Sequence, residues 1–165
     1  MVHFREVQKF RQPWLVVLWM GPLGVLAWGV WQQLVLKRPW GDRPAPDGVL
    51  VALGLGVLLL SLWMFRMRLV TEVRDDLLRV HFVLLWKPKI IPFAEIRSFE
   101  VVTYRPIIEY GGWGIRRGRN GWAYNVSGNR GVRLELSDGA RFLVGSRQPE
   151  ELARALGERM GLRPR

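Results

Sequence analysis

Cysteine is absent from this chain, and histidine occurs only twice in 165 residues. The first absence excludes disulfides, thiolate nucleophiles and cysteine-ligated metals. A small β-rich domain without disulfides fits a reducing compartment. The two histidines, His3 and His81, lie far apart in sequence, one near the amino terminus and one inside a strand-like run, so no histidine metal cluster is expected. Ser127 and Ser146 have no histidine placed by a nucleophile motif, and Gly111-Gly112-Trp113-Gly114 lacks the strand-then-helix context of a phosphate loop. The sequence therefore announces no catalytic constellation, no metal site and no cofactor. Acidic residues are also scarce, 14 against 25 Lys and Arg, for a formal net charge of +11.

Charge of either sign is missing from two long stretches, Trp14 to Trp31 and Val49 to Phe65. At 1.5 Å per helical residue the second spans about 26 Å, and the first about 34 Å if it continues to Leu36, each sufficient to cross a bilayer. Eleven residues of the second stretch are Leu, Val or Phe, which favours insertion by roughly −3 to −7 kcal/mol. In the first, Gly21, Pro22, Gly24 and Gly29 weaken the helix and Gln32 and Gln33 are polar, whereas Trp14, Trp28 and Trp31 suit the two interfaces. A cleaved signal peptide fits less well, because the apolar run is too long and no small-residue cleavage pattern precedes Lys37. The connector from Lys37 to Gly48 contains three prolines and two glycines, so a tight turn returns the second helix antiparallel to the first. Ala52 and Gly56 form one small-xxx-small pair that would let backbones approach. Three basic residues precede the first helix (Arg5, Lys9, Arg11) and four follow the second (Arg66, Arg68, Arg74, Arg79), against three in the connector (Lys37, Arg38, Arg43). This asymmetry predicts both termini in the cytoplasm.

From Arg66 onward the composition changes. This part carries 19 Lys and Arg against 11 acidic residues, or +8 of the +11. Strand-like runs recur: Leu69 to Val73 and Leu78 to Leu85 around a turn at Asp75-Asp76, then Ile90-Ile91 after the break at Lys87-Pro88-Lys89. A cation site at the aspartate pair is the weaker reading of that turn. Glu95 to Tyr104 reads as a long strand with Phe99, Val101 and Thr103 on one face. Trp122 to Val126, Val132 to Leu136 and Arg141 to Val144 give three more, the last two joined by Asp138-Gly139, a strong hairpin signal. A helix ends the domain, with Pro149 at its start, Glu150 and Glu151 in its first turn, and Leu152, Leu156 and Met160 on its buried face. About seven strands followed by one amphipathic helix is the order of a pleckstrin-homology-like (PH-like) barrel. The predicted organisation is an amino-terminal segment over 1–13, helices over 14–36 and 49–66 around a connector at 37–48, and a mainly-β PH-like barrel with a C-terminal helix over 67–165.

The runs Thr103 to Arg116, Tyr124 to Gly131 and Gly145 to Leu152, together with Phe4 to Trp14, resemble a family of small uncharacterised bacterial membrane proteins. The similarity covers most of the chain. It implies a two-helix anchor in the bacterial inner membrane joined to a PH-like domain, and it carries no ligand, activity or site residue with it.

One segment concentrates residues suited to binding. Between Tyr104 and Arg130 lie Arg105, Glu109, Trp113, Arg116, Arg117, Arg119, Asn125, Asn129 and Arg130, and seven glycines fall within the 21 residues from Gly111 to Gly131. Glycine permits close approach of a ligand, Arg grips phosphate or carboxylate bidentately, and Trp113 is suited to an interface. The competing reading is a structural loop in which glycines take positive φ and Arg105 pairs with Glu109. Asn125-Val126-Ser127 matches a glycosylation sequon, which a bacterial cytoplasmic domain leaves unused. A basic domain beside a bilayer meets anionic headgroups, a setting that weighs against nucleic acid as its partner. The expected function is non-catalytic: a membrane-anchored module that recognises an anionic lipid or a protein partner. A structural subunit of a membrane complex is the alternative, and an enzyme would require an unannounced pocket around Glu109 or Asp residues.

Overall fold

The computed structural model describes residues 1–162; positions 163–165 of the expected 67–165 domain lie outside the described residues. The chain forms two compact units, one built from Met1–Lys9 and the chain from Met67 onward, the other from Phe10–Arg66.

The first unit is mainly β. Strands β1 (Val2–Lys9), β2 (Arg68–Arg74), β3 (Leu77–Val83) and β4 (Lys89–Pro92) form an antiparallel sheet in chain order. Strands β5 (Ile96–Thr103), β6 (Gly114–Gly118), β7 (Gly121–Asn125), β8 (Arg130–Leu136) and β9 (Arg141–Gly145) form a second sheet in the order β5-β8-β9-β7-β6. Within it β7 and β9 run parallel and the other pairs antiparallel. The Asp75-Asp76 and Asp138-Gly139 turns join β2 to β3 and β8 to β9 as their composition requires, with Gly139 at φ +82°. Leu69, Val73, Leu78, Val80 and Phe82 from the first sheet, and Phe99, Val132, Leu134 and Val144 from the second, are buried.

Two strands were not anticipated. The expectation assigned no strand to residues 1–13, yet Val2–Lys9 pairs along β2, from Val2 opposite Arg74 to Lys9 opposite Arg68. Its buried residues are Phe4, Glu6 and Gln8. Two of these three are polar, so the alternation is real but leaves no hydrophobic trace. Three of their four polar side-chain atoms are committed: Glu6 Oε2 accepts from the Ser146 hydroxyl at 2.6 Å, Glu6 Oε1 from the Arg147 N–H at 2.9 Å, and Gln8 Nε2 donates to the Gly145 carbonyl at 2.7 Å, while Gln8 Oε1 is buried without a partner among the described residues. A buried carboxylate left without such donors would cost several kcal/mol. These bonds tie β1 to the end of β9, and so the first sheet to the second. The other unanticipated strand, β6, falls inside the glycine-rich stretch.

Helix α4 (Pro149–Met160) closes this unit and touches β5, β8, β1 and β2. Pro149 stands at its start, Glu150 and Glu151 in its first turn, and Gly161 in a left-handed cap at φ +65°. Leu152 and Leu156 are fully buried, whereas Met160, expected on the same buried face, is only partly covered because the helix ends there.

The second unit contains two helices long and apolar enough to span a membrane. One, α1 (Pro13–Val30), continues through a π-helical turn at Trp31–Val35; the other, α2, covers Asp47–Arg66. Helix α2 starts two residues before the expected Val49, because the Pro46 carbonyl accepts the N–H groups of Val49 and Leu50 and Asp47 complements the helix start. Gln32 and Gln33, read as weak points of the first span, hold the connector instead. Gln33 Nε2 donates to the Ala45 carbonyl and to Asp47 Oδ1, both at 2.7 Å, and Gln32 Nε2 to the Pro39 carbonyl at 3.2 Å. Gly29 also has a packing role, since a Cβ there would lie 2.6 Å from the Trp40 ring. The Ala52–Gly56 pair faces outward with open space beside Gly56; close approach occurs at Gly54, next to Val30. Most other apolar side chains of both helices, Val17, Leu18, Leu59 and Leu62 among them, are exposed.

Candidate functional site

Two features of the β unit meet in one region: the Tyr104–Arg130 segment and an apolar groove beside it. The segment is ordered by a buried hub. Asn125 is 0% exposed; its Oδ1 accepts the Gly114 N–H at 2.9 Å and its Nδ2 donates to the Tyr104 hydroxyl at 3.1 Å. That enclosure removes its amide from any ligand and from glycosylation. Burial pushes the Tyr104 hydroxyl up to about 12. The Tyr104 and Tyr110 rings meet edge to face at 5.8 Å and, with Ala123 and Leu143, form a small core on the outer face of the second sheet. Glycines make this compactness possible. A Cβ on Gly145 would lie 2.6 Å from that of Asn125, and one on Gly118 would lie 2.0 Å from the Glu109 carbonyl oxygen.

Within this frame, Pro106–Tyr110 forms a short helix, α3, capped by Gly111 at φ +73°. Glu109 pairs with the backbone of Arg105 rather than its side chain: Oε1 accepts the Arg105 N–H at 2.7 Å. Its other oxygen accepts from Asn120 Nδ2 at 3.3 Å and lies 3.9 Å from Arg133 Nη2. Trp113 donates its indole N–H to the Gly128 carbonyl at 3.0 Å. The Asn129 carbonyl accepts the Tyr104 N–H at 2.8 Å, and Arg130 pairs with Glu150. A backbone hydrogen bond and that Arg130 contact hold the Glu150 carboxyl below the usual carboxylate range.

The three arginines are not one cluster. Arg116 and Arg117 are consecutive on β6 and point to opposite faces. Arg116 Nε donates to the Trp113 carbonyl at 3.0 Å, Arg117 stacks 5.9 Å over the Trp122 ring opposite it in register, and Arg119 stands in the β6–β7 turn. Only Arg117 shares its face with Ile115, Trp122 and Tyr124.

That face walls the groove, of about 540 Å³, lined by Leu85, Trp86, Lys89, Ile115, Trp122, Tyr124 and Phe142. The β3–β4 turn forms one side, and β6, β7 and β9 the other. Tyr124 and Phe142 are nearly buried at its floor with ring centroids 4.9 Å apart, while Trp86 (67% exposed) and Trp122 (46%) stand at its rim. Burial raises the Tyr124 hydroxyl above its ordinary value, so the floor is neutral at physiological pH. Lys89 lines the groove and Arg117 stacks over its Trp122, and both are cationic. Among the described residues no carboxylate, histidine or serine lines the groove, so it offers apolar contact and positive charge rather than acid–base chemistry. The available signal was Leu84-Leu85-Trp86, three large apolar residues at and just past the end of the expected Leu78 to Leu85 strand and directly followed by Lys87-Pro88-Lys89.

A second concavity, of about 290 Å³, lies on the outer face of the second sheet around Ser98, Glu100, Arg133 and Glu135. Arg133 Nη1 donates there to Glu100 at 3.1 Å and the Ser98 hydroxyl to Glu135 at 3.2 Å. Among the described residues no three His, Cys, Asp or Glu side chains gather as a metal site. No protein-family model matches the chain, and no curated protein matches it.

Proposed function

We propose that this protein is a membrane-anchored binding module without catalytic function, in which α1 and α2 form a two-span anchor and the β unit is a PH-like domain at the cytoplasmic face of a bacterial inner membrane. Its groove takes a ligand with an apolar body and an anionic group. The observation that carries the reading is the groove itself: an apolar floor, two rim tryptophans, Lys89 in its wall and Arg117 over Trp122, with no acidic residue lining it among the described residues. The tether is supported by strand pairing. Lys9 and Arg68 are partners in one ladder, yet the whole apolar hairpin lies between them in sequence. An insert that leaves and returns at paired residues must cross a bilayer an even number of times, because one crossing would part the pair by about 30 Å.

The experiment is a titration of the full chain in neutral nanodiscs with dodecyl phosphate and, separately, dodecyl phosphocholine, following the Ile115 methyl resonance. The anionic amphiphile is expected to shift that resonance at lower concentration than the zwitterionic one, and Trp122→Glu to abolish the response. Equal responses to both, or one that survives Trp122→Glu, contradict the reading.

A protein partner is the second reading, favoured by a separate observation. Strand β6 ends its sheet, and an extended segment can add to such an edge while placing alternate side chains in a neighbouring groove.

A further inference from the structure

The first sheet is chemically polarised along its strands. At one end lie Asp75 and Asp76 in the β2–β3 turn, with Asp75 held by His3 at 2.7 Å and by Arg159. At the other end Lys9 pairs with Arg68, and Arg68 pairs in turn with Val83, the last residue of β3. The turn that follows Val83 exposes Leu84 (54%), Leu85 and Trp86 (67%), then Lys87 and Lys89. Leu84 sits at φ +69°, a conformation that glycine adopts freely and leucine does not. No acidic residue occurs between Arg66 and Thr71 or between Leu84 and Lys89. The apolar turn and its cations thus share the sheet end at which the chain departs for α1 and returns from α2, with Val83 one strand spacing, about 4.8 Å, from Arg68.

We infer that the Leu84-Leu85-Trp86 turn seats in the headgroup region of the bilayer as a third membrane contact, with Lys87 and Lys89 on anionic lipid phosphates. This rests on the reading that α1 and α2 span that bilayer. Tryptophan favours the interface between water and hydrocarbon. Lysine stems lie along apolar surface while their ammonium groups stay at the headgroups, and anionic lipid attracts the row of cations formed by Lys9, Arg68, Lys87 and Lys89. Seating the turn would fix the domain's orientation and open the groove, which shares Leu85, Trp86 and Lys89, toward lipid-borne ligands.

Because the chain has no cysteine, single-cysteine variants of the full chain carry an environment-sensitive fluorophore without further engineering. Trp86→Cys and Leu84→Cys report the turn, Asp76→Cys the opposite end of the sheet, and Leu58→Cys the middle of α2. In proteoliposomes containing phosphatidylglycerol, the turn probes are expected to emit at shorter wavelength than the Asp76 probe. They should be quenched several-fold more than it by lipids bearing a nitroxide near the headgroup, and several-fold less by aqueous iodide. If the Leu58 probe is quenched by deep nitroxide lipids while both turn probes respond to iodide as Asp76 does, the turn lies in water and the inference fails although the anchor stands. Turn probes shielded from both quenchers would mean a protein contact, which overturns the assignment to lipid. A Leu58 probe untouched by lipid nitroxides would remove the anchor, and this inference with it.

Discussion

The Ser146 hydroxyl donates a 2.6 Å hydrogen bond to Glu6, 140 residues earlier in the chain. This contact joins the strand before the apolar hairpin to the end of β9, beyond the centre of the domain that follows it. The same hydroxyl accepts the Gln148 N–H at 3.0 Å, leading directly into α4.

Ser146→Ala is therefore expected to leave a buried carboxylate short of one donor and to destabilise the β unit by about 1 to 3 kcal/mol. Ser146→Thr, which retains the hydroxyl, should lose less. The check is thermal unfolding of the full chain in detergent, read from the β-sheet circular dichroism signal; an unchanged midpoint for the alanine variant would show that β1 does not depend on this bond.

Along α4 the cost of truncation should fall with burial. Leu156→Ala removes a fully buried side chain and is expected to cost about 2 to 5 kcal/mol. Met160→Ala, at the partly covered last turn, should cost clearly less in the same unfolding measurement.

Gly29→Leu is expected to displace Trp40 from the face of α1, because even a Cβ there meets the ring at 2.6 Å. The connector should loosen without loss of either helix. A maleimide reaction at Asp42→Cys, run with and without the Gly29 change, tests this; faster labelling in the double variant is the expected result.

All three tyrosines are held protonated above their usual range, Tyr104 to about 12, chiefly by desolvation. A raised folded value means that the folded state keeps protons which the unfolded state releases from about pH 10 upward. The stabilising contribution of Tyr104 is thus complete below about pH 10 and is lost as pH rises through about 12. Phenolate absorbance should lag that of free tyrosine during an alkaline titration and then appear together with loss of the sheet signal.

The sequence exposed what depends on composition and period. Two charge-free runs, the hairpin turns at Asp75-Asp76 and Asp138-Gly139, and α4 with its proline start were all visible, because each is written in local residue choice. Strand β1 was hidden because its inward residues, Glu6 and Gln8, bond to Ser146, Arg147 and Gly145, partners that no local pattern reveals. Strand β6 was hidden because Gly118, which serves close approach to α3, looked like loop material. The candidate binding residues were legible as a segment but not as a surface. Alternation along β6 separates Arg116 from Arg117, and long-range burial encloses Asn125. The groove joins Trp86 to Trp122 across two sheets, a juxtaposition that only tertiary structure provides.

The central claim, a two-span anchor that returns the chain to the face it left, is tested most directly by labelling single cysteines in intact cells with a membrane-impermeant maleimide. Pro44→Cys, in the connector, and Arg154→Cys, on the exposed side of α4, are the informative pair. The account predicts that Pro44→Cys reacts from outside while Arg154→Cys reacts only after the membrane is permeabilised. Labelling of both from outside, or protection of both until permeabilisation, would contradict it.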